Sequence, residues 1–254
     1  MCRLLGIVSR ETTTLPAALG TDFDEFVALS SGLHSDGWGV AAESGGRRAI
    51  TLAPEAAHAS DAFTETASTS LDAGIVHLRA ATLGLAIGAQ NTHPFVHGDL
   101  SFAHNGSIRA ISDIETLIDA DLLPSILGDT DSERYLLALV SELRRQSRLD
   151  AVRTVARRLE EVAVEASINA LLLAPDELIV IADDTAKAPV DMGADYYELS
   201  YRVEDDFVAI ASSGWERDGW QRVPERTVLS VDRRTLAVTI RDLAPARTST
   251  LIAA

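Results

Sequence analysis

Cys2 is the only cysteine in the chain and stands directly behind Met1. Methionine aminopeptidase acts where the second residue is small, and cysteine qualifies. Removal of Met1 would leave a thiol and a free α-amine on one residue. Ordinary pKa values are about 8.5 for the thiol and about 7.7–8.0 for the amine. The amine can therefore take the thiol proton during attack and return it to a leaving amine, which puts nucleophile and base on a single residue. Position alone does not establish this chemistry, because a free cysteine is commonly a small buried hydrophobe.

Three later segments carry polar residues where a core strand would not. His77-Leu78-Arg79-Ala80-Ala81-Thr82 places an arginine and a threonine just past a strand end. A guanidinium fork matches a carboxylate, and a nearby hydroxyl adds a hydrogen bond. Phe102-Ala103-His104-Asn105-Gly106 closes another strand. The Asn105 amide and the Gly106 N–H can together stabilise an oxyanion. Asp131, in the first turn of a helix, can accept from an ammonium group. Each residue also has a plainer role: Asn-Gly in a turn, Asp131 in helix capping, Arg79 as a surface charge. Combined, they are the parts that hold an α-amino acid by both ends with its side-chain amide aimed at a nucleophile.

The elements that must position these residues follow from the residue pattern. Arg3–Val8 reads as a buried strand, followed by a helix around Asp24–Ser31. His34-Ser35-Asp36 is not a charge-relay set, since adjacent residues do not face one another as a triad requires. Asp36-Gly37-Trp38-Gly39 instead leads tightly into a strand at Trp38–Ala42, with both glycines there for backbone reasons. Gly45-Gly46 is a hairpin turn before a strand near Ala49–Leu52. Ala73–Leu78 and Leu100–His104 are further strands. Thr130-Asp131-Ser132-Glu133 is a capping box with Thr130 at the N-cap, and Leu136, Leu139, Val140 and Leu143 then share one helical face. A second helix carries Val152, Val155, Ala156, Leu159, Val162 and Ala163. Strands are expected at Ile168–Leu173, Leu178–Ala182, Tyr196–Val203, Phe207–Ala211, Thr227–Val231 and Leu236–Ile240. Strands, two helices and strands again predict one α+β domain with helices packed on a sheet. Trp215 and Trp220 either line a pocket or pack a C-terminal strand.

Five segments, in this order, resemble the class II glutamine amidotransferases of the N-terminal nucleophile hydrolase superfamily. They are Cys2 behind Met1, Gly32-Leu33-His34-Ser35-Asp36-Gly37-Trp38-Gly39, Arg79 to Thr82, Ala103-His104-Asn105-Gly106 and Thr130-Asp131-Ser132-Glu133. The resemblance implies an αββα four-layer sandwich of two stacked antiparallel sheets, formed as a single domain over residues 2–254. It assigns Cys2 as nucleophile with its own amine as base, and Asn105 with Gly106 as the oxyanion hole. Arg79 and Thr82 would bind the substrate α-carboxylate and Asp131 the α-ammonium. Asn91-Thr92-His93-Pro94-Phe95 resembles a further family segment, which implies that His93 lines the site. The reaction implied is hydrolysis of the side-chain amide of glutamine or a γ-glutamyl conjugate through a cysteine thioester, with no cofactor.

The chain departs from the family's large synthases at Ala80 and Leu83, where those usually carry Trp and His, and it has no room for a synthase domain. It looks like the stand-alone branch, which includes the γ-glutamyl hydrolase of ergothioneine synthesis. Ala211-Ser212-Ser213-Gly214-Trp215, Asp218-Gly219-Trp220 and Val223-Pro224-Glu225-Arg226 resemble that enzyme's tail, while Asn91–Phe95 looks more like other stand-alone members. Two classes of function stay open: a hydrolase acting alone, and a subunit that supplies ammonia to a separate synthase. The group carried on the amide and any homo-oligomer are likewise open.

Composition narrows the alternatives. The 254 residues carry 22 Lys+Arg against 38 Asp+Glu, a formal charge of -16, which repels phosphate backbones and anionic membrane surfaces. No run approaches the roughly 18 apolar residues of a membrane span, and the N-terminal apolar stretch is too short for a signal peptide. A cytoplasmic protein is expected. One cysteine allows neither an intramolecular disulfide nor a cysteine zinc cluster. His77, His93, His97 and His104 lack the Glu of a His-Glu-x-x-His helix, and Pro94 breaks any helix that would align His93 with His97, so no metal site is expected.

Overall fold

The computed structural model describes residues 2–80, 88–109, 111–162, 167–183 and 195–243. The first half runs β1 (Arg3–Thr13), α1 (Leu15–Leu19), α2 (Thr21–Ala28), β2 (Trp38–Ser44), β3 (Arg47–Ala53), α3 (Asp61–Ala67), β4 (Leu71–Leu78), β5 (Phe95–His97) and β6 (Leu100–Ser107). The second half runs α4 (Ile111–Glu115), α5 (Asp131–Leu143), α6 (Arg148–Val162), β7 (Ser167–Leu173), β8 (Glu177–Ala182), β9 (Leu199–Val203), β10 (Phe207–Ser212), β11 (Gln221–Arg222), β12 (Thr227–Asp232) and β13 (Val238–Asp242).

The strands form two antiparallel sheets. One has the order β11-β9-β10-β1-β4-β2-β3 and the other β13-β12-β8-β7-β6-β5. Side chains alternate across each strand, so each sheet offers two faces, and three apolar layers result. Leu4, Val8, Ile75, Ala103, Leu171, Val180 and Ile210 fill the space between the sheets. Leu5, Ile7, Val76 and Leu78 pack with Phe23, Phe26 and Phe63 from the helices over the first sheet. Phe102, Ala170 and Leu172 pack with Tyr135, Leu139, Val155 and Leu159 from α5 and α6 over the second. The architecture is the αββα four-layer sandwich. β1 is the middle strand of seven, and residues Arg3–Ser9 are all buried, as a strand covered on both faces requires.

The departures from the sequence expectation have local causes. Two helices, not one, precede β2. Thr14 caps the first by accepting from the Ala17 N–H at 3.3 Å, and Gly20 (φ +56°) separates the pair. The short α3, α4 and β5 escape the sequence pattern because five residues or so hold too little periodicity. β13 starts at Val238 because Leu236 sits at φ +61° in the preceding turn, with its side chain in the inter-sheet core. β9 starts at Leu199, with Tyr196 and Tyr197 buried in the turn before it. The capping box is one-sided: Thr130 Oγ1 accepts from the Glu133 N–H at 3.2 Å, but the Glu133 carboxylate instead takes the N–H groups of Leu127 and Gly128. Trp215 and Trp220 pack against the outer core of the first sheet, and both indole N–H groups donate to Asp22 at 3.1 Å.

At the end of the sandwich away from Cys2, Arg233 in the β12–β13 turn clasps the two sheets. It pairs with Glu43 of β2, and with Asp72 of β4 at 2.8 Å. Arg233→Ala would leave the Glu43 carboxylate buried without its cation. The expected loss is about 3 kcal/mol of unfolding free energy, measured by urea denaturation.

Candidate active site

Alternation fixes which residues share the polar end of the inter-sheet layer. Leu4, Gly6 and Val8 of β1 face the second sheet, and one step back the same face carries Cys2. On β4 the same face holds Ala73 and Ile75, then His77, and one step past the strand Arg79. On β6 it holds Ala103, then Asn105. In each strand an apolar run turns polar at the same end of the sandwich.

The start of β1 is held firmly. The Leu4 N–H donates to Ser212 Oγ at 3.0 Å, and Arg3 Nη1 donates to the Cys2 carbonyl at 3.1 Å. The half-buried Cys2 thiol points at the Ala80 carbonyl, 3.7 Å away. Burial pushes the thiol pKa up, and the positive charges of Arg79 and Arg3 pull against that rise. A thiol so placed stays protonated near neutrality and needs a base at the moment of attack.

Arg79 is buried, so a surface-charge role is excluded. Its backbone N–H donates to the Gly37 carbonyl at 2.8 Å, its carbonyl accepts from the Asp36 N–H at 3.1 Å, and Nη1 reaches the Asp36 carbonyl at 3.4 Å. Gly37 itself has φ +142°, and a Cβ there would come 2.9 Å from the Ala53 carbonyl oxygen. The Asp36-Gly37 turn thus seats the arginine. Thr82, the expected companion of Arg79, lies outside the described residues.

Asn105 and Gly106 do not form a turn. They lie inside β6, opposite Asn169 and Ile168 of β7. The two facing asparagines differ sharply. Asn169 Nδ2 donates to the Tyr197 carbonyl at 2.7 Å, and its Oδ1 accepts from the Asp183 N–H at 2.8 Å. The Asn105 amide is fully buried, and neither of its side-chain polar atoms finds a hydrogen-bond partner among the described residues. Burying an unpaired amide costs about 1–3 kcal/mol, an arrangement suited to a group that bonds to a ligand. At Gly106 a Cβ would sit 1.9 Å from the Ser167 carbonyl oxygen, so no larger residue fits the backbone there.

Asp131 connects this strand end to α5. Its Oδ2 accepts from the Ile108 N–H at 2.6 Å. His104, on the helix-facing side of β6, contacts the Ser167 carbonyl through Nε2 at 2.9 Å and Ser132 Oγ through Nδ1 at 2.8 Å. Burial lowers the His104 pKa, partly offset by the Asp131 carboxylate, so the ring is neutral. A carbonyl can only accept, which places the proton on Nε2; the single Ser132 hydroxyl proton is then shared between Nδ1 at 2.8 Å and Asp131 Oδ1 at 3.2 Å. His104 thereby fixes the Ser167 carbonyl against Gly106.

His93 is buried beside the same layer. Its carbonyl oxygen lies where a Cβ on Gly39 would be, 1.9 Å from the ideal position, and its ring packs 4.1 Å from that of His77. The ring nitrogens of both find no hydrogen-bond partner among the described residues; the His104 backbone lies near His77 but outside hydrogen-bond geometry. Burial pushes the His77 pKa down to about 3, aided by the Arg79 charge, and burial likewise holds His93 well below its ordinary value. The described residues contain no cluster of three or more His, Cys, Asp or Glu able to hold a metal ion, and no helix long and apolar enough to cross a membrane.

The structure thus gathers Cys2, Arg79, His93, Asn105, Gly106 and Asp131 at one end of the sandwich. Sequence reasoning missed the supports: Arg3, Ser132, Ser167, Asn169 and Ser212. Only the tertiary fold brings Ser212 or Ser167 to its target, so no local pattern marks them.

A family model described as "Glutamine amidotransferases class-II" matches residues 1–230, and the chain belongs to that family. Among solved structures, a "glutamine aminotransferase class-II domain protein" from Silicibacter pomeroyi superposes with a TM-score of 0.69 at 17% identity, covering 96% of this chain and 100% of that one. Glutamine phosphoribosylpyrophosphate amidotransferase from B. subtilis superposes with a TM-score of 0.64 at 18% identity, covering 96% of this chain and 49% of that one. These likenesses show the fold. No curated protein sequence matches the chain.

The neutral histidines make stability depend on pH. The folded chain holds His77, His93 and His104 unprotonated, whereas the unfolded chain protonates them below about pH 6.5. Their contribution is fully present above about pH 6.5 and is lost as pH falls toward the folded values. Unfolding free energy should drop between about pH 7.5 and 5, His77 alone contributing on the order of 1–2 kcal/mol. Urea midpoints across that range check the sign.

Proposed function

We propose that the mature chain starts at Cys2 and hydrolyses the γ-glutamyl amide of glutamine or of a γ-glutamyl conjugate, with residues 2–254 acting as one cytoplasmic amidotransferase-type domain. The family membership already implies cleavage of the glutamine amide. The observation that carries the finer proposal is the buried Asn105 amide, without a partner among the described residues, on the same inter-sheet face as Cys2 and Arg79.

In this mechanism Arg79 and Thr82 take the substrate α-carboxylate, Asp131 the α-ammonium, and His93 lines the pocket. While Met1 is attached, the Cys2 nitrogen is an amide and cannot act as a base. Once freed, the amine takes the thiol proton and the sulfur attacks the amide carbon. The carbonyl oxygen becomes an oxyanion held by the Asn105 amide and the Gly106 N–H. The C–N bond breaks, the amine returns the proton to the leaving nitrogen, and a glutamyl thioester remains on Cys2. Water, activated by the same amine, attacks the thioester, releasing glutamate and restoring the thiol. No cofactor takes part.

Turnover of purified protein on glutamine and on γ-glutamyl thioether conjugates tests the proposal. Cys2→Ala should abolish hydrolysis, and Asn105→Ala should lower kcat by about 100- to 1,000-fold with KM little changed. Hydrolysis that survives Cys2→Ala contradicts the mechanism. Turnover that appears only when a co-purifying synthase is added would instead identify an ammonia-supplying subunit.

A further inference from the structure

Arg3 follows the nucleophile in sequence and has no part in the mechanism above. Its side chain is only 4% exposed, although it carries a full charge. Three contacts define its seat. Nη1 donates to the Cys2 carbonyl at 3.1 Å, and the guanidinium lies 4.4 Å over the centre of the Tyr196 ring. Nε faces Gly214 (φ +138°), where a Cβ would come within 3.5 Å of it, and finds no hydrogen-bond partner among the described residues. Alternation puts Arg3 on the helix side of β1 with Leu5 and Ile7, opposite the face that carries Cys2 and Arg79.

A buried cation is costly unless paired, and a neutral side chain could also donate to the Cys2 carbonyl. We infer, resting on the nucleophile assignment above, that Arg3 is a positioning residue that keeps a permanent positive charge beside Cys2, so that the freed α-amine remains neutral and able to act as base. Two guanidinium groups flank the nucleophile, but they are not equivalent. In the proposed mechanism the substrate carboxylate neutralises Arg79 on binding. Arg3 lies across the strand from that carboxylate and stays charged through the whole cycle. A nearby cation disfavours a second one, so it opposes protonation of the amine when the thiol proton must be taken. The same charge already acts on the thiol, where it lowers a pKa that burial raises.

Among the described residues, the other charged or titratable groups bearing on this corner are few. Arg79 comes from the end of β4, Asp195 and Tyr196 from the turn before β9, and Arg217 from the segment after β10. Burial lowers the Arg3 pKa from its high ordinary value, the Asp195 carboxylate pulls against that fall, the Tyr196 phenol is held neutral by burial, and Arg217 adds to the positive potential.

The test separates charge from anchoring. Wild type, Arg3→Gln and Arg3→Lys are each released from a cleavable leader so that the chain begins at Cys2. The rate of inactivation by an electrophilic glutamine analogue is then followed against pH. Gln keeps a donor for the Cys2 carbonyl and removes the charge; Lys keeps the charge. The acid limb of the profile should move up by at least about half a pH unit in Arg3→Gln, a slowing of about threefold below the limb, and should stay at the wild-type position in Arg3→Lys. A uniform slowing of Arg3→Gln with an unmoved limb would reduce Arg3 to a structural anchor and overturn this inference alone. A wild type that takes no label at Cys2 would overturn the nucleophile assignment together with it.

Discussion

The pleat of a β-strand sends successive side chains to opposite faces, and the site depends on that constraint. The residues that could hold and cleave a glutamyl amide come from separate strands. They meet because each occupies the next inward-facing position after an apolar run: Cys2 after Leu4, His77 and Arg79 after Ile75, Asn105 after Ala103. A shift of one residue in any strand would send its polar group into a helix-packed face. The inter-sheet core of Leu4, Ile75, Leu171 and Val180 therefore sets the register of the chemistry as well as the stability of the fold.

Polar groups at that end are held in states that water would not favour. The Cys2 thiol is pushed up by burial, three histidines are kept neutral, and the Asn105 amide has no partner among the described residues. Each costs free energy, which the apolar layers offset. Two of the supports act from the opposite faces of the same strands, while Asn169 and Ser212 share the inward face. Arg3 reaches the nucleophile from the helix side of β1, and His104 reaches the Ser167 carbonyl from the helix side of β6. The inward face presents the reactive groups, and Arg3 and His104 help to orient them from the outward face.

Much of this was legible in the residues. The buried strand at Arg3, the Gly45-Gly46 hairpin and the Thr130 cap each follow from local chemistry, and all three are present. The polar interruptions at Arg79 and Asn105 marked the ends of strands that are otherwise apolar. The sequence could not tell that Asn105-Gly106 continues a ladder, because that depends on a partner strand about sixty residues away. The sequence singled out Asn105 but not its neighbour across the ladder, Asn169, whose amide the Tyr197 and Asp183 backbones satisfy. Trp215 and Trp220 stay open between pocket and core in the sequence; in the fold both pack on the outer core of the first sheet, and both indole N–H groups donate to Asp22.

The central claim is that Cys2, once exposed, forms a covalent bond to the glutamyl group. Acid quenching during turnover, followed by intact mass and peptide mapping, tests it most directly. The account predicts a chain without Met1 that gains the mass of one glutamyl group, confined to the peptide beginning at Cys2 and released by hydroxylamine as a thioester is. Turnover by a chain that retains Met1, or an adduct on any other peptide, would contradict it.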